Sequence, residues 1–170
     1  MKTAGVILAI VLALALQTTL ARFVIRGTVA VDLVLVVVVY VALASGPVTG
    51  FLSGTLAGLL QDALSTGNVI GIGGLAKTIV GFLTGIVGTQ FIVAQPLPRF
   101  VVFFSATLLH AAVFIGLYVA LDRWQFGAPY TAVTGQALGN AVAGVVAFQL
   151  AELLPGAVER RRGARSRIRR

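Results

Sequence analysis

Few residues of this chain could do acid–base or ion chemistry, and four of them fall inside strongly apolar stretches or at their borders. Asp32, Asp62 and Lys77 are charged, and His110 is the single histidine of the chain. A charge near the centre of a bilayer costs about 2.5–3.5 kcal/mol on insertion scales, so charges kept there usually have a partner. Because Asp62 and Lys77 flank one short turn, we predict an ion pair or a shared polar network between them.

Asp32 and His110 have simpler interpretations. Asp32 follows Arg22 and Arg26, which could pair with it, so we expect an anchor at the membrane interface. His110 lies in the middle of an apolar stretch, where we expect a neutral imidazole that is hydrogen-bonded across a helix bundle. The functional alternative is a proton relay or a ligand contact, and it lacks a second titratable neighbour in the sequence.

Small residues recur at four-residue spacing in three of the apolar stretches. Such ridges let helix backbones approach closely in lipid, where little hydrophobic force drives helices together. Two interpretations stay open, packing within one bundle and an interface for a partner helix, and the residues concerned are Gly50, Gly54, Gly58, Gly81, Gly85, Gly135 and Gly139. Gln136 and Asn140 share a helix face beside the last pair, so this face should point inwards or towards a partner.

The sequence lacks the residue sets of the common catalytic and metal sites. It contains no cysteine, which excludes a disulfide framework, a thiolate zinc site and a cysteine nucleophile. It also shows no catalytic triad, phosphate-binding loop or metal-ligand spacing. We therefore predict a non-enzymatic binding or scaffolding protein that needs no cofactor.

The elements that must position these residues are membrane helices. Of the 170 residues, 58% are hydrophobic, and the mean hydropathy is +1.02. One span needs roughly 20 mostly apolar residues, and continuous apolar stretches do not fit the alternating strands of a β-barrel. We predict an all-α integral membrane protein, a bundle of six transmembrane helices within residues 1–155, with spans near Thr3–Ala21, Thr28–Ser45, Pro47–Leu64, Gly71–Val93, Phe100–Leu121 and Thr131–Leu154.

The positive charge is concentrated at the carboxyl end. The formal net charge is +8, and residues 156–170 contain Arg160, Arg161, Arg162, Arg165, Arg167, Arg169 and Arg170. We predict a disordered cytoplasmic tail that contacts anionic lipids, with about 1 kcal/mol from each arginine, and that could pair with Glu152. Six spans then place the amino terminus in the cytoplasm as well. Nucleic acid is not a predicted partner, because no nucleic-acid-binding fold accompanies the charge.

Several motifs in the first half of the chain resemble the MreD family of rod shape-determining proteins. They are Leu16-Gln17-Thr18-Thr19-Leu20, Val31-Asp32-Leu33-Val34-Leu35 running into Tyr40, Gly46-Pro47-Val48-Thr49-Gly50, Gly54 through Gly58 followed by Leu59-Leu60-Gln61-Asp62-Ala63-Leu64, and Gly71-Ile72-Gly73-Gly74-Leu75-Ala76-Lys77 with Gly81. The likeness is distinctive from about residue 14 to 90 and rests on hydropathy afterwards. Family members often have proline before the aspartate, where Val31 stands here, and the arginine tail is not a family hallmark.

The resemblance implies a non-enzymatic scaffold of the bacterial cell-elongation machinery in the cytoplasmic (inner) membrane. The implied partners are an MreC-like bitopic protein and, in a larger complex, MreB, RodA and a penicillin-binding transpeptidase. The family's six-helix fold also resembles the substrate-binding components of energy-coupling-factor vitamin transporters, so a substrate-capture subunit is the alternative function. A capture site needs convergent polar groups, and the outer loops offer few candidates, namely Asn68, Trp124, Gln125 and Tyr130.

Overall fold

All regular structure in the described part of the chain is helical. The computed structural model describes the backbone of residues 3–23, 31–65, 69–91, 95–122 and 130–168, and the side chains of residues 3–19, 31–65, 69–91, 95–122 and 130–153. Its helices are α1 (Thr3–Phe23), α2 (Leu33–Ser45), α3 (Pro47–Leu64), α4 (Ile72–Gln90), α5 (Pro96–Ala120) and α6 (Tyr130–Ile168). The predicted all-α architecture with six helices is confirmed.

Three of these helices are long and apolar enough to cross a membrane. They cover Ile72–Gln90, Pro96–Ala120 and Tyr130–Leu153, while Leu33–Ser45 and the part of α1 whose side chains are described, Thr3–Thr19, are shorter apolar segments. The 18-residue α3 falls into neither group. Of the six predicted spans, three therefore meet the criterion of length and composition, and the other three remain a prediction.

Helix α2 is the centre of the bundle. It contacts each of the other five helices. Val34, Leu35, Val38 and Val39 are almost completely buried, on different sides of the helix. Neighbours on all sides explain why this stretch is apolar at nearly every position instead of having one apolar face.

Glycine and proline set the tight reversals between helices. Gly46 ends α2 with a φ of 86°, and Pro47 opens α3 at the first helical position, where its missing N–H is not needed. Gly71 precedes α4 with a φ of 103°. Left-handed φ values of this kind favour glycine because it has no Cβ. The short turns place α3 antiparallel to both of its neighbours in sequence.

The last helix extends beyond the predicted bundle. The backbone of α6 is helical as far as Ile168, and the disorder that we expected over residues 156–170 stays a prediction. Residues 169 and 170 lie outside the described residues.

Candidate functional site

The start of α2 lies inside the bundle. A 13-residue helix is about 20 Å long, which is shorter than the roughly 30 Å hydrocarbon core of a bilayer. Asp32, the N-cap of α2, is only 4% exposed. The first N–H groups of a helix have no partner within the helix, so at a buried helix end other groups of the protein must accept these hydrogen bonds.

Three side chains accept the N–H groups at this helix start. Asp32 Oδ1 accepts from the N–H of Leu35 at 2.9 Å, and Gln17 Oε1 from α1 accepts from the N–H of Val34 at 3.2 Å. Asn140 Oδ1 from α6 accepts from the N–H of Asp32 itself at 2.9 Å. The buried end of α2 is thus held by the first and last helices of the chain.

The second carboxylate oxygen of Asp32 forms a buried ion pair with Lys77 of α4. Lys77 Nζ lies 2.8 Å from Asp32 Oδ2, and the two side chains are 4% and 6% exposed. Lys77 Nζ also lies 3.2 Å from His110 Nε2 of α5. Because a protonated lysine only donates, we assign Nε2 of His110 as the acceptor and Nδ1 as the nitrogen that carries the hydrogen. The hydrogen bond that we expected from His110 across the bundle is present.

The contacts of Asn140 extend the cluster along α5. Asn140 Nδ2 donates to Thr107 Oγ1 at 3.1 Å, and Thr107 Oγ1 donates to the carbonyl oxygen of Phe103 at 2.8 Å. Together these side chains form what we call the buried polar network: Gln17, Asp32, Lys77, Thr107, His110 and Asn140. It joins α1, α2, α4, α5 and α6. Gln136, which we placed beside Asn140, is half-buried and makes no hydrogen bond to the described residues.

The predicted pairing of Asp62 with Lys77 is wrong. Asp62 Oδ2 accepts from the N–H groups of Gly71 and Gly74, at 2.9 and 3.0 Å, and so closes the amino end of α4. A carboxylate is favourable there because the helix dipole places partial positive charge at that end. Lys77 lies about one helical turn after Gly74 in α4, and its side chain extends to Asp32 at the start of α2 and to His110 of α5.

The interpretation of Asp32 as an interfacial anchor is also wrong. Asp32 is buried and neutralised by Lys77, while the side chains of Arg22 and Arg26 lie outside the described residues. One signal in the sequence could have indicated the pair. Lys77 is the only lysine besides Lys2, and Asp32 is the only charge in the most apolar stretch of the chain.

Most of the predicted glycine ridges lie between α3 and α4. A Cβ added at Gly50 would lie 2.2 Å from the carbonyl oxygen of Gly81, and one at Gly54 would lie 2.3 Å from that of Lys77. At Gly58 it would lie 2.5 Å from Gly74 Cα. Real Cβ contacts are not this short, so the two backbones touch only because these residues are glycine. On the described contacts, packing within the chain accounts for this ridge.

The glycine pairs Gly81/Gly85 of α4 and Gly135/Gly139 of α6 differ in whether the described contacts explain them. Gly85 belongs to the same interface, because its added Cβ would lie 2.4 Å from Pro47 Cα. Gly135 and Gly139 are half-buried on α6, and their role stays a prediction.

A second ion pair lies at the other end of the bundle. Arg99 of α5 pairs with Glu152 of α6, and its guanidinium lies 4.5 Å from the centre of the Phe148 ring. Glu152 is mostly exposed, whereas Arg99 is buried. Glu152 therefore has a partner within the bundle, and the side chains of the tail arginines, which we expected to pair with it, lie outside the described residues.

The buried polar network connects five helices through contacts among its own side chains and the start of α2. Its donors and acceptors contact each other, and the one buried polar side-chain atom without a partner in the described residues is Gln61 Oε1. No group of three His, Cys, Asp or Glu residues that could hold a metal ion occurs in the same part of the chain. An open apolar groove of about 380 Å³ lies between α5 and α6, and it is lined by Pro96, Leu97, Phe100, Val142, Val145 and Val146.

Comparison with known proteins gives one clear relation. No curated protein and no solved structure matches this chain. The likeness to the substrate-binding components of energy-coupling-factor transporters is thus unsupported. A family model described as rod shape-determining protein MreD matches residues 1–154, nearly the whole chain and all of the bundle. The chain therefore belongs to the MreD family of rod shape-determining proteins.

Proposed function

We propose that this chain is a non-enzymatic scaffold of the cell-elongation machinery, which binds an MreC-like bitopic protein and links peptidoglycan synthesis to the MreB cytoskeleton. RodA and a penicillin-binding transpeptidase belong to the same larger complex. The observation that carries the proposal is the family match over residues 1–154, because a shape-determining role follows from membership. The named partners go beyond that match.

The packing of the bundle is consistent with a scaffold. The polar groups at the start of α2 are occupied by one another, and the ridge between α3 and α4 is occupied by backbone. What remains for a partner helix is the outer surface, where association in lipid depends on shape and on close packing. A bundle with fixed helix positions offers such a surface without rearrangement, which lowers the cost of binding.

The proposed location is the bacterial cytoplasmic membrane, with several spans and both termini in the cytoplasm. Three helices that can cross a membrane support the location, and the arginines after residue 159 support the orientation. The helical extension of α6 would then leave the membrane on the cytoplasmic side, where its arginines meet anionic lipids.

Affinity purification from native membranes in mild detergent, followed by mass spectrometry, tests the proposal. We expect an MreC-like protein together with cell-wall synthesis proteins. A matched preparation of the Gly58→Leu variant controls for non-specific capture, because it disrupts the bundle without changing the charge. Recovery of a membrane coupling subunit with ATPases would instead support the capture subunit, whereas recovery of neither set would contradict both functions.

A further inference from the structure

Helix α3 is not apolar enough to account for its own place in the bundle. Among the described helices it alone is neither a candidate span nor one of the shorter apolar helices. It contains Gln61, Asp62 and three glycines. Gly50, Gly54, Gly58 and Asp62 are nevertheless buried. Another part of the chain must therefore compensate for the polar and backbone groups of α3.

Helix α4 covers the face of α3 that carries the glycines and Asp62, which would be unfavourable in contact with lipid. The three glycines rest on its backbone, and the carboxylate of Asp62 accepts from the N–H groups of Gly71 and Gly74. The opposite face is an unbroken aliphatic row, made of the exposed residues Val48, Leu52, Leu56, Leu60 and Leu64. Once α4 is in place, every fully exposed side chain of α3 is therefore apolar.

The charge of α4 is compensated in the same way. Lys77 is buried in the second turn of that helix, and its carboxylate partner is Asp32, the N-cap of α2. Each ionised group in α2, α3 and α4 thus has its partner on another of these three helices. In hydrocarbon a charge or backbone group without a partner is costly, so each helix is better accommodated when its neighbour is present.

We propose that α3 is a conditional span, which stays in the bilayer as a hairpin with α4 and not through its own hydrophobicity. The ion pair of Lys77 with Asp32 then fastens this hairpin to α2. The proposal rests on the membrane location of the chain and does not depend on the scaffold function, so the two can fail separately.

The Gly58→Leu variant distinguishes a dependence of α3 on α4 from insertion of α3 through its own hydrophobicity, because the two predict opposite results. The change makes α3 more apolar, and it also places a side chain against Gly74, where a Cβ alone would lie 2.5 Å from Cα. If α3 inserts through its own hydrophobicity, the variant should insert at least as well as the wild type. If α3 depends on α4, insertion should fall.

The measured quantity is the fraction of full-length chains that are labelled at a single cysteine introduced at position 70. The chain has no cysteine of its own, and Ile70 is 69% exposed in the turn between α3 and α4. Pulse-labelled spheroplasts with Ile70→Cys are treated with a membrane-impermeant maleimide before or after permeabilisation. The short pulse records topology before any misassembled chain is degraded.

We expect most chains with Ile70→Cys alone to react in intact spheroplasts, and the reacting fraction to fall below about half of that value when Gly58→Leu is added. Leu56→Ile, a change on the aliphatic row, is the matched control and should leave the fraction unchanged. An unchanged or higher fraction with Gly58→Leu would overturn the proposal.

Discussion

Replacing Lys77 with methionine removes a positive charge from the bundle while it keeps a long, flexible side chain. Asp32 Oδ2 then loses its cation, and Asp32 Oδ1 keeps only the N–H of Leu35. Removing one partner of a buried ion pair costs about 3–5 kcal/mol, because the other charge is left without compensation. We expect a loss of this size in the free energy of unfolding of Lys77→Met.

Asp32→Asn should also destabilise the protein, but by a different route. Asparagine is a good N-cap and can still accept from the N–H of Leu35, so the loss comes from the ammonium, which among the described residues keeps only His110 Nε2 as an acceptor. The double variant has no uncompensated charge. Its loss should therefore be smaller than the sum of the single losses, with a coupling energy of about 2–3 kcal/mol.

The assay is equilibrium unfolding by SDS in mixed micelles, followed by circular dichroism. Asp122→Asn is the control, because Asp122 is exposed at the end of α5 with a φ of 53°, which asparagine tolerates. Its effect should stay within about 0.5 kcal/mol. Losses for Asp32→Asn and Lys77→Met that add within about 0.5 kcal/mol would refute the ion pair as described.

Three further predictions use the same assay. Asp62→Ala should cost about 1–2 kcal/mol by uncapping α4, and its effect should add to that of Lys77→Met, because the two residues do not pair; a clear coupling would restore the original pairing. Gly58→Ala should cost about 1–3 kcal/mol through overpacking, whereas Gly116→Ala, where an added Cβ meets nothing within 4 Å, should not destabilise; equal effects would contradict the close contact of α3 with α4. Arg99→Met should destabilise more than Glu152→Gln, because only the arginine is buried and packed on Phe148; the reverse order would contradict this contact.

The sequence was sufficient for those features that depend on local chemistry. Apolar stretches separated by glycine and proline located the helices, and the four-residue spacing of Gly50, Gly54 and Gly58 indicated a ridge that could pack closely. The mid-span position of His110 was enough to predict its hydrogen bond across the bundle.

The partners of the charged groups could not be predicted in the same way. Lys77 could reach either aspartate, and the choice depends on how α4 packs against α2 and on the free N–H groups that attract Asp62. The buried start of α2 was also not visible, because a stretch that is apolar on all sides has no periodicity to mark where the helix begins. The pairing of Arg99 with Glu152 likewise follows from the antiparallel packing of α5 and α6.

A complementation experiment tests the shape-determining role most directly. In rod-shaped bacteria depleted of their own MreD protein, expression of this chain should maintain the rod, whereas an equal membrane level of Lys77→Met should maintain it less well, because the bundle is loosened at its centre. Cells that become round although the wild-type chain is present in the membrane, folded and in normal amount, would contradict the account.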